Sequence, residues 1–148
     1  MTHRNDVIRY PEPDVTIIDP TAMASEPFNL KDINAITDKL DHIRAIDKPF
    51  ALKMTKAGCC DALSVHFDIW FEAGMPSPAF FSTSPEATPT HWKQTLFYLD
   101  TPMVVKAGDV IEGKLTASQC VGDERHWDIE IEYKSGDAME VRKQKYRI

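Results

Sequence analysis

Residues 59–73, CCDALSVHFDIWFEA, set Leu63, Val65, Phe67, Ile69 and Phe71 in alternation with Ala62, Ser64, His66, Asp68, Trp70 and Glu72. Successive side chains of a strand point to opposite faces, so a period of two sustained over this length reads as one half-buried β-strand. The same period returns at 92–99, 110–118 and 127–133, the last with Asp128, Glu130 and Glu132 on the face opposite its apolar residues. Glycine turns at Gly108, Gly122 and Gly136 separate these runs, and the third leads into a further strand over 138–145. Upstream, 14–19 (DVTIID) and 50–55 (FALKMT) read as shorter strands. Closely spaced strands joined by turns predict an all-β fold, an antiparallel barrel or sandwich.

One segment resists that pattern. Ile33, Ile36, Leu40 and Ile43 recur at three- and four-residue steps that suit an amphipathic helix as well as a strand and turn. We expect a strand over 30–36 and then a short helical turn over 38–41. Pro11, Pro13, Pro20 and Pro27 break the N-terminal part into extended pieces.

At 148 residues the chain is the size of one domain and can bury a core without staples. Its formal charge of −6, from 23 acidic and 17 basic residues, argues against direct nucleic-acid binding and suits a cationic partner. Cys59, Cys60 and Cys120 are odd in number, two of them adjacent, which suggests no disulfide framework and an intracellular protein. The first fifteen residues lack an apolar signal core, and no run approaches ~18 apolar residues, so no membrane role is expected.

Several chemistries lose their support on residue types alone. The six glycines stand singly, so no glycine-rich turn is available to bring backbone N–H groups against a nucleotide-like cofactor. A nucleophile elbow and a P-loop are both missing. His66, His91 and His126 with Asp68 or Asp128 could supply a metal set, but scattered polar-face histidines are the plainer reading. Asp128, Glu130 and Glu132 could offer an acid–base pair, yet alternating acids on a strand are usually a solvated face. Trp70 and Trp127 are most simply core or barrel-wall residues.

Thr90-His91-Trp92 stands apart. Pro85 and Pro89 stiffen the loop before it, the threonine can bond locally to backbone, and the histidine–indole pair falls where a strand begins. The run FSTSPEATPTHWKQTLFYLD, 81–100, resembles the C-terminal β-barrel domain of type I protein arginine N-methyltransferases, including its Thr-His-Trp loop. Agreeing pieces follow in order: VTIIDP at 15–20, FDIWF at 67–71 and VKAGDVIEGKLT at 105–116. The turn Glu124-Arg125-His126-Trp127-Asp128 resembles the family's R-D-x-D region but places His126 where an acid is common.

The resemblance implies a two-part enzyme. Its methyl donor, S-adenosylmethionine, sits in an N-terminal Rossmann-like domain, which also grips the substrate guanidinium with two acids. No part of that domain is found in this sequence, so no cofactor is expected on this chain. By the likeness His91 is the catalytic residue of the barrel, pairing with an acid of the donor half, while Thr90 and Trp92 build the loop and the wall of the arginine channel. Residues 1–13 correspond to an extended segment following the family's dimerisation arm, and 14–148 to the barrel. The implied partners are Arg-containing, often Gly/Arg-rich, proteins and the donor-binding domain, in the cytoplasm or nucleus. The strand that precedes the arm in the family is not found here, which leaves a sheet edge and predicts weak self-association. The alternative is a non-catalytic barrel, a scaffold or inactive partner subunit that holds Arg-rich peptides.

Overall fold

The structure, a computed structural model, describes residues 11–72, 74, 76–135 and 138–148. Alternation of apolar and polar side chains becomes strand almost throughout: β1 (Asp14–Thr16), β2 (Ala45–Lys53), β3 (Gly58–Val65), β4 (Asp68–Phe71), β5 (Ala79–Ser82), β6 (Gln94–Val105), β7 (Val110–Cys120), β8 (Asp123–Ser135) and β9 (Arg142–Arg147). Among the described residues, helix is limited to a 3-10 turn at Pro20–Ala22 and one α-helical turn, α1 (Leu40–Ile43). The strands form a four-stranded sheet, β2-β7-β8-β9, a three-stranded sheet, β1-β6-β3, and the hairpin β4-β5. Every pairing is antiparallel, as an all-β chain of short connections allows.

Both larger sheets feed one core. Leu63, Phe97, Leu99, Met103 and Val105 come from the three-stranded sheet, and Phe50, Ile111, Leu115, Ile129, Ile131, Tyr133 and Tyr146 from the four-stranded one. Burying one such side chain is worth about 1.5–3 kcal/mol, so the repeated alternation rather than any single residue decides which way a strand faces. In β8, Ile129, Ile131 and Tyr133 are buried while Asp128, Glu130 and Glu132 face outward against β9. There Lys143 Nζ lies 2.7 Å from Glu130 and 2.8 Å from Glu132, and Arg147 Nε donates to Asp128 at 2.7 Å. Hydrogen bonds from Lys143 hold the Glu130 carboxyl below its ordinary range, and the bond from Arg147 does the same for Asp128. The acids considered for proton transfer are therefore members of an ion-pair ladder with β9, which blunts β9 as an edge.

Between β6 and β9 the backbone ladder gives way to side chains. Gln144 Oε1 accepts from Asp100 N at 3.0 Å, its Nε2 donates to Tyr98 O at 3.3 Å, and Tyr146 Oη donates to that same carbonyl at 2.6 Å. Arg142 Nη1 reaches Thr101 O at 3.1 Å. Farther along, Arg147 N donates to Pro11 O at 3.4 Å, so the start of the described chain lies beside β9 before β1 joins β6.

Gly113 marks a tight crossing of three strands, with Phe50 of β2 on one side and Tyr133 of β8 on the other. A Cβ at this position would fall 2.3 Å from Glu132 O and 2.3 Å from Phe50 Cζ. Neither a carbonyl held in a ladder nor a core ring can retreat far. Gly113→Ala should therefore cost about 2 kcal/mol, the scale of core overpacking, seen as a lower urea midpoint at unchanged slope. An unchanged midpoint would show that the strands have room to part.

Several expected boundaries move. The alternation at 59–73 is two strands rather than one: Thr83 Oγ1 accepts from Phe67 N and donates to Phe67 O, both at 3.0 Å, and the chain leaves β6 there to pair with β5. No strand forms over 30–36. Asn34 Oδ1 accepts from Ile36 N at 3.0 Å and Thr37 N at 3.2 Å, and Asp38 Oδ2 accepts from Asn34 N at 2.8 Å, so side chains claim the backbone that a strand would need. The helical turn falls at 40–43 instead of 38–41. The strand expected at 14–19 stops at Thr16, before the Pro20 turn; the one at 50–55 begins at Ala45; the one at 92–99 begins at Gln94 and runs to Val105; and the one at 138–145 lies at 142–147. Of the extended segment 1–13, residues 1–10 lie outside the described residues.

Candidate functional site

The loop between β5 and β6, residues 83–93, is pinned at both ends. Thr83 is 2% exposed and holds Phe67 as described above. Gln94, 3% exposed, donates from Nε2 to Thr83 O at 2.7 Å and accepts from Ile18 N at 2.9 Å. One buried amide thus ties the loop's start to its end and fastens both to the segment after β1. A buried side-chain amide with both halves bonded is costly to displace, so the loop has a fixed base.

On that base Thr90 Oγ1 accepts from Trp92 N at 3.3 Å, closing a tight local turn. Lys93 follows at φ 56°, a left-handed conformation that a side chain with a Cβ adopts at a cost of about 1 kcal/mol. That kink separates Trp92 from the alternation of β6, which starts one residue later. The indole then lies flat on Phe81, centroids 5.4 Å apart at 22°, with the Phe67 ring edge-on to it at 6.2 Å. Trp92 nevertheless stays 57% exposed, and His91 projects beside it, ring centroids 6.5 Å apart. His91 is exposed, and no carboxylate pairs with it among the described residues.

The three residues singled out in the sequence therefore divide the work of the loop. Thr90 shapes the turn, Trp92 anchors on aromatic rings and still offers a face, and His91 lies edge-on to that indole with no carboxylate partner among the described residues. An imidazole N–H can donate to a carboxylate, and an indole face can accept the stem or plane of an arginine. Phe67, Phe81, Thr83 and Gln94 were not singled out, although a buried glutamine directly after His-Trp-Lys was a signal in the sequence.

The other candidates do not join this site. Among the described residues no group of His, Cys, Asp or Glu comes together as a metal-holding set. His126 Nδ1 lies 2.7 Å from Asp123 at the start of β8, while His66 sits at the break between β3 and β4. Trp127 is half-buried at the core as expected, whereas Trp70, read as core or wall, is 58% exposed on the hairpin. Burial pushes the Cys60 thiol up, away from nucleophilic use.

Residues 1–138 match the family model described as the arginine methyltransferase oligomerization subdomain, and the chain belongs to that family. It is 36% identical to protein arginine N-methyltransferase 1 of Schizosaccharomyces pombe over 122 residues, 82% of this chain and 35% of the relative. With protein arginine N-methyltransferase 1 of Chlamydomonas reinhardtii it shares 34% identity over 139 residues, 93% of this chain and 40% of the relative. The chain thus spans well under half the length of the curated relatives it matches. Among solved structures, a chain of the Trypanosoma brucei PRMT1 enzyme-prozyme heterotetrameric complex with AdoHcy superposes with a TM-score of 0.85 at 28% identity, over 93% of this chain and 44% of that one. Arabidopsis thaliana protein arginine methyltransferase 10 shares the fold, with a TM-score of 0.84 at 20% identity over 94% of this chain and 43% of that one.

Proposed function

We propose that this chain is the substrate-side barrel of a protein arginine N-methyltransferase and that Thr90, His91 and Trp92 complete the arginine-binding site when a donor-binding domain is joined to it. One observation carries the reading: His91 is exposed and without an ion-pair partner among the described residues, on a loop whose base is locked by Thr83 and Gln94. In that arrangement His91 donates an N–H to a carboxylate of the donor half and orients it. The open face of Trp92 guides the arginine stem. S-adenosylmethionine supplies the methyl group when bound to the other domain.

The described residues do not fit the donor. Gly74, Gly108 and Gly122 take positive φ in three separate turns, so among the described residues no succession of glycines opens backbone N–H groups to a nucleoside. Arg-containing proteins, often Gly/Arg-rich, are the substrates in this reading, in the cytoplasm or nucleus, with weak self-association of the barrel. Likeness to a chain of an enzyme-prozyme complex also favours a second reading, a partner subunit that binds or scaffolds without turning over.

Calorimetry on the purified chain with S-adenosylmethionine should give no binding at micromolar concentration, and methyl transfer to an Arg-Gly peptide should appear only once a donor-binding domain is joined. Micromolar donor binding by the chain alone would defeat the proposal. A joined protein that binds donor and peptide yet transfers no methyl group selects the non-catalytic reading.

A further inference from the structure

The hairpin β4-β5 carries aromatic rings on both faces, and the loop uses only one of them. Phe81, cross-strand from Ile69, lies under Trp92. On the other face Trp70 stands opposite Phe80, and Asp68 opposite Ser82. The Trp70 and Phe80 rings are 5.0 Å apart with a 36° tilt, and they remain 58% and 56% exposed. Asp68 shares their face by alternation, and Glu72 follows two residues after Trp70; both are exposed. Neither carboxylate takes part in an ion pair among the described residues.

We propose that this outer face of the hairpin is a second binding site for arginine side chains, in which a guanidinium stacks on the open side of Trp70 while Asp68 and Glu72 supply the opposing charge. The proposal rests on the reading that the chain handles arginine-rich proteins and gives it a second point of contact. Guanidinium suits the surface because it is planar, weakly hydrated and always charged, so it stacks on an aromatic face and pairs with carboxylates at once. A purely apolar partner would strip water from Asp68 without replacing it, and a phosphate would meet like charge. The chain's formal charge of −6 acts in the same direction. Since Trp92 lies against the opposite face, an arginine at Trp70 leaves the His91 loop free. A chain with repeated arginines can then occupy both sites, and the first contact raises the effective concentration at the second.

The test is an NMR titration of the 148-residue chain, following the indole N–H signals of its three tryptophans, Trp70, Trp92 and Trp127. The probe is a peptide of several Arg-Gly repeats. The Trp70 signal should shift saturably, and Trp70→Leu should weaken the peptide about tenfold while the Trp127 signal and amide dispersion stay in place. Asp68→Asn should weaken it about threefold. An unmoved Trp70 signal at millimolar peptide, or a Trp70→Leu chain that binds as before, overturns the proposal. So does a sedimentation coefficient that rises with protein concentration only when Trp70 is present and without peptide response, which assigns the face to a second copy. No donor or turnover enters the measurement, so this site can fail while the His91 reading stands, and the reverse.

Discussion

Replacing His91 with alanine in an enzyme that carries this barrel is expected to lower turnover about a hundredfold, the scale on which a mispositioned catalytic group acts, while the unfolding midpoint hardly moves. The two halves of that expectation have separate causes. Stability should hold because the loop is fastened by Thr83, Gln94 and the Phe81–Trp92 stack, none of which touches the imidazole through a hydrogen bond. Exposed substitutions away from such anchors usually stay within about 0.5 kcal/mol. Turnover should fall because, in the proposed function, the ring's N–H donates to an acid of the donor half and keeps it oriented. Steady-state kinetics on an Arg-Gly peptide beside a thermal melt separates the two. Loss of several kcal/mol of stability with turnover per folded molecule intact would make His91 a packing residue and remove the main support for the site.

How far the sequence could be read depended on how local each cause was. In β8, Ile129, Ile131 and Tyr133 face the core and Asp128, Glu130 and Glu132 face solvent, so alternation alone gives the strand and its orientation. The break between β3 and β4 is set by Thr83, sixteen residues from Phe67, and no local period announces it. At 33–43 the apolar spacing misled for a related reason: Asn34 turns the chain with its own side chain, leaving Ile36 79% exposed. Alternation says which residues could share a face, but not whether anything covers that face. Trp70 shows the same limit, since its position in the strand looks identical whether the hairpin is buried or stands free.

At the candidate site the legible part was likewise what lay side by side in the chain. Thr90, His91 and Trp92 are neighbours, and their order supports a turn with a projecting ring. What fixes them is distant: Gln94 holds Ile18 across 76 positions, and Phe81 meets Trp92 only because the hairpin folds back. A polar residue at the start of an apolar strand was the available hint, because buried amides persist where the backbone around them lacks other partners.

The same logic makes Gln144 the most consequential core position outside the loop. It is 6% exposed at the seam where β9 meets β6, and its single amide serves three groups: Asp100 N, Tyr98 O and the Tyr133 hydroxyl, which donates to its Oε1 at 2.7 Å. Tyr133 itself is 1% exposed, and burial pushes its phenol up, so the hydroxyl keeps its proton and needs an acceptor. Gln144→Leu preserves volume but leaves the buried Tyr133 hydroxyl without its acceptor and removes the acceptor of the Asp100 N–H at the sheet surface, which should cost about 2 kcal/mol, since an orphaned buried group is worth roughly 1–3. Tyr146→Phe is the contrasting case. It removes one bond to Tyr98 O, a carbonyl that Gln144 Nε2 still serves, and should cost only about 1 kcal/mol. Urea unfolding of the two single variants and their combination measures the coupling directly, and the pair should be non-additive because both side chains address one carbonyl. A Gln144→Leu chain within about 0.5 kcal/mol of the parent would mean that water satisfies the seam and that packing, rather than this amide, joins the two sheets.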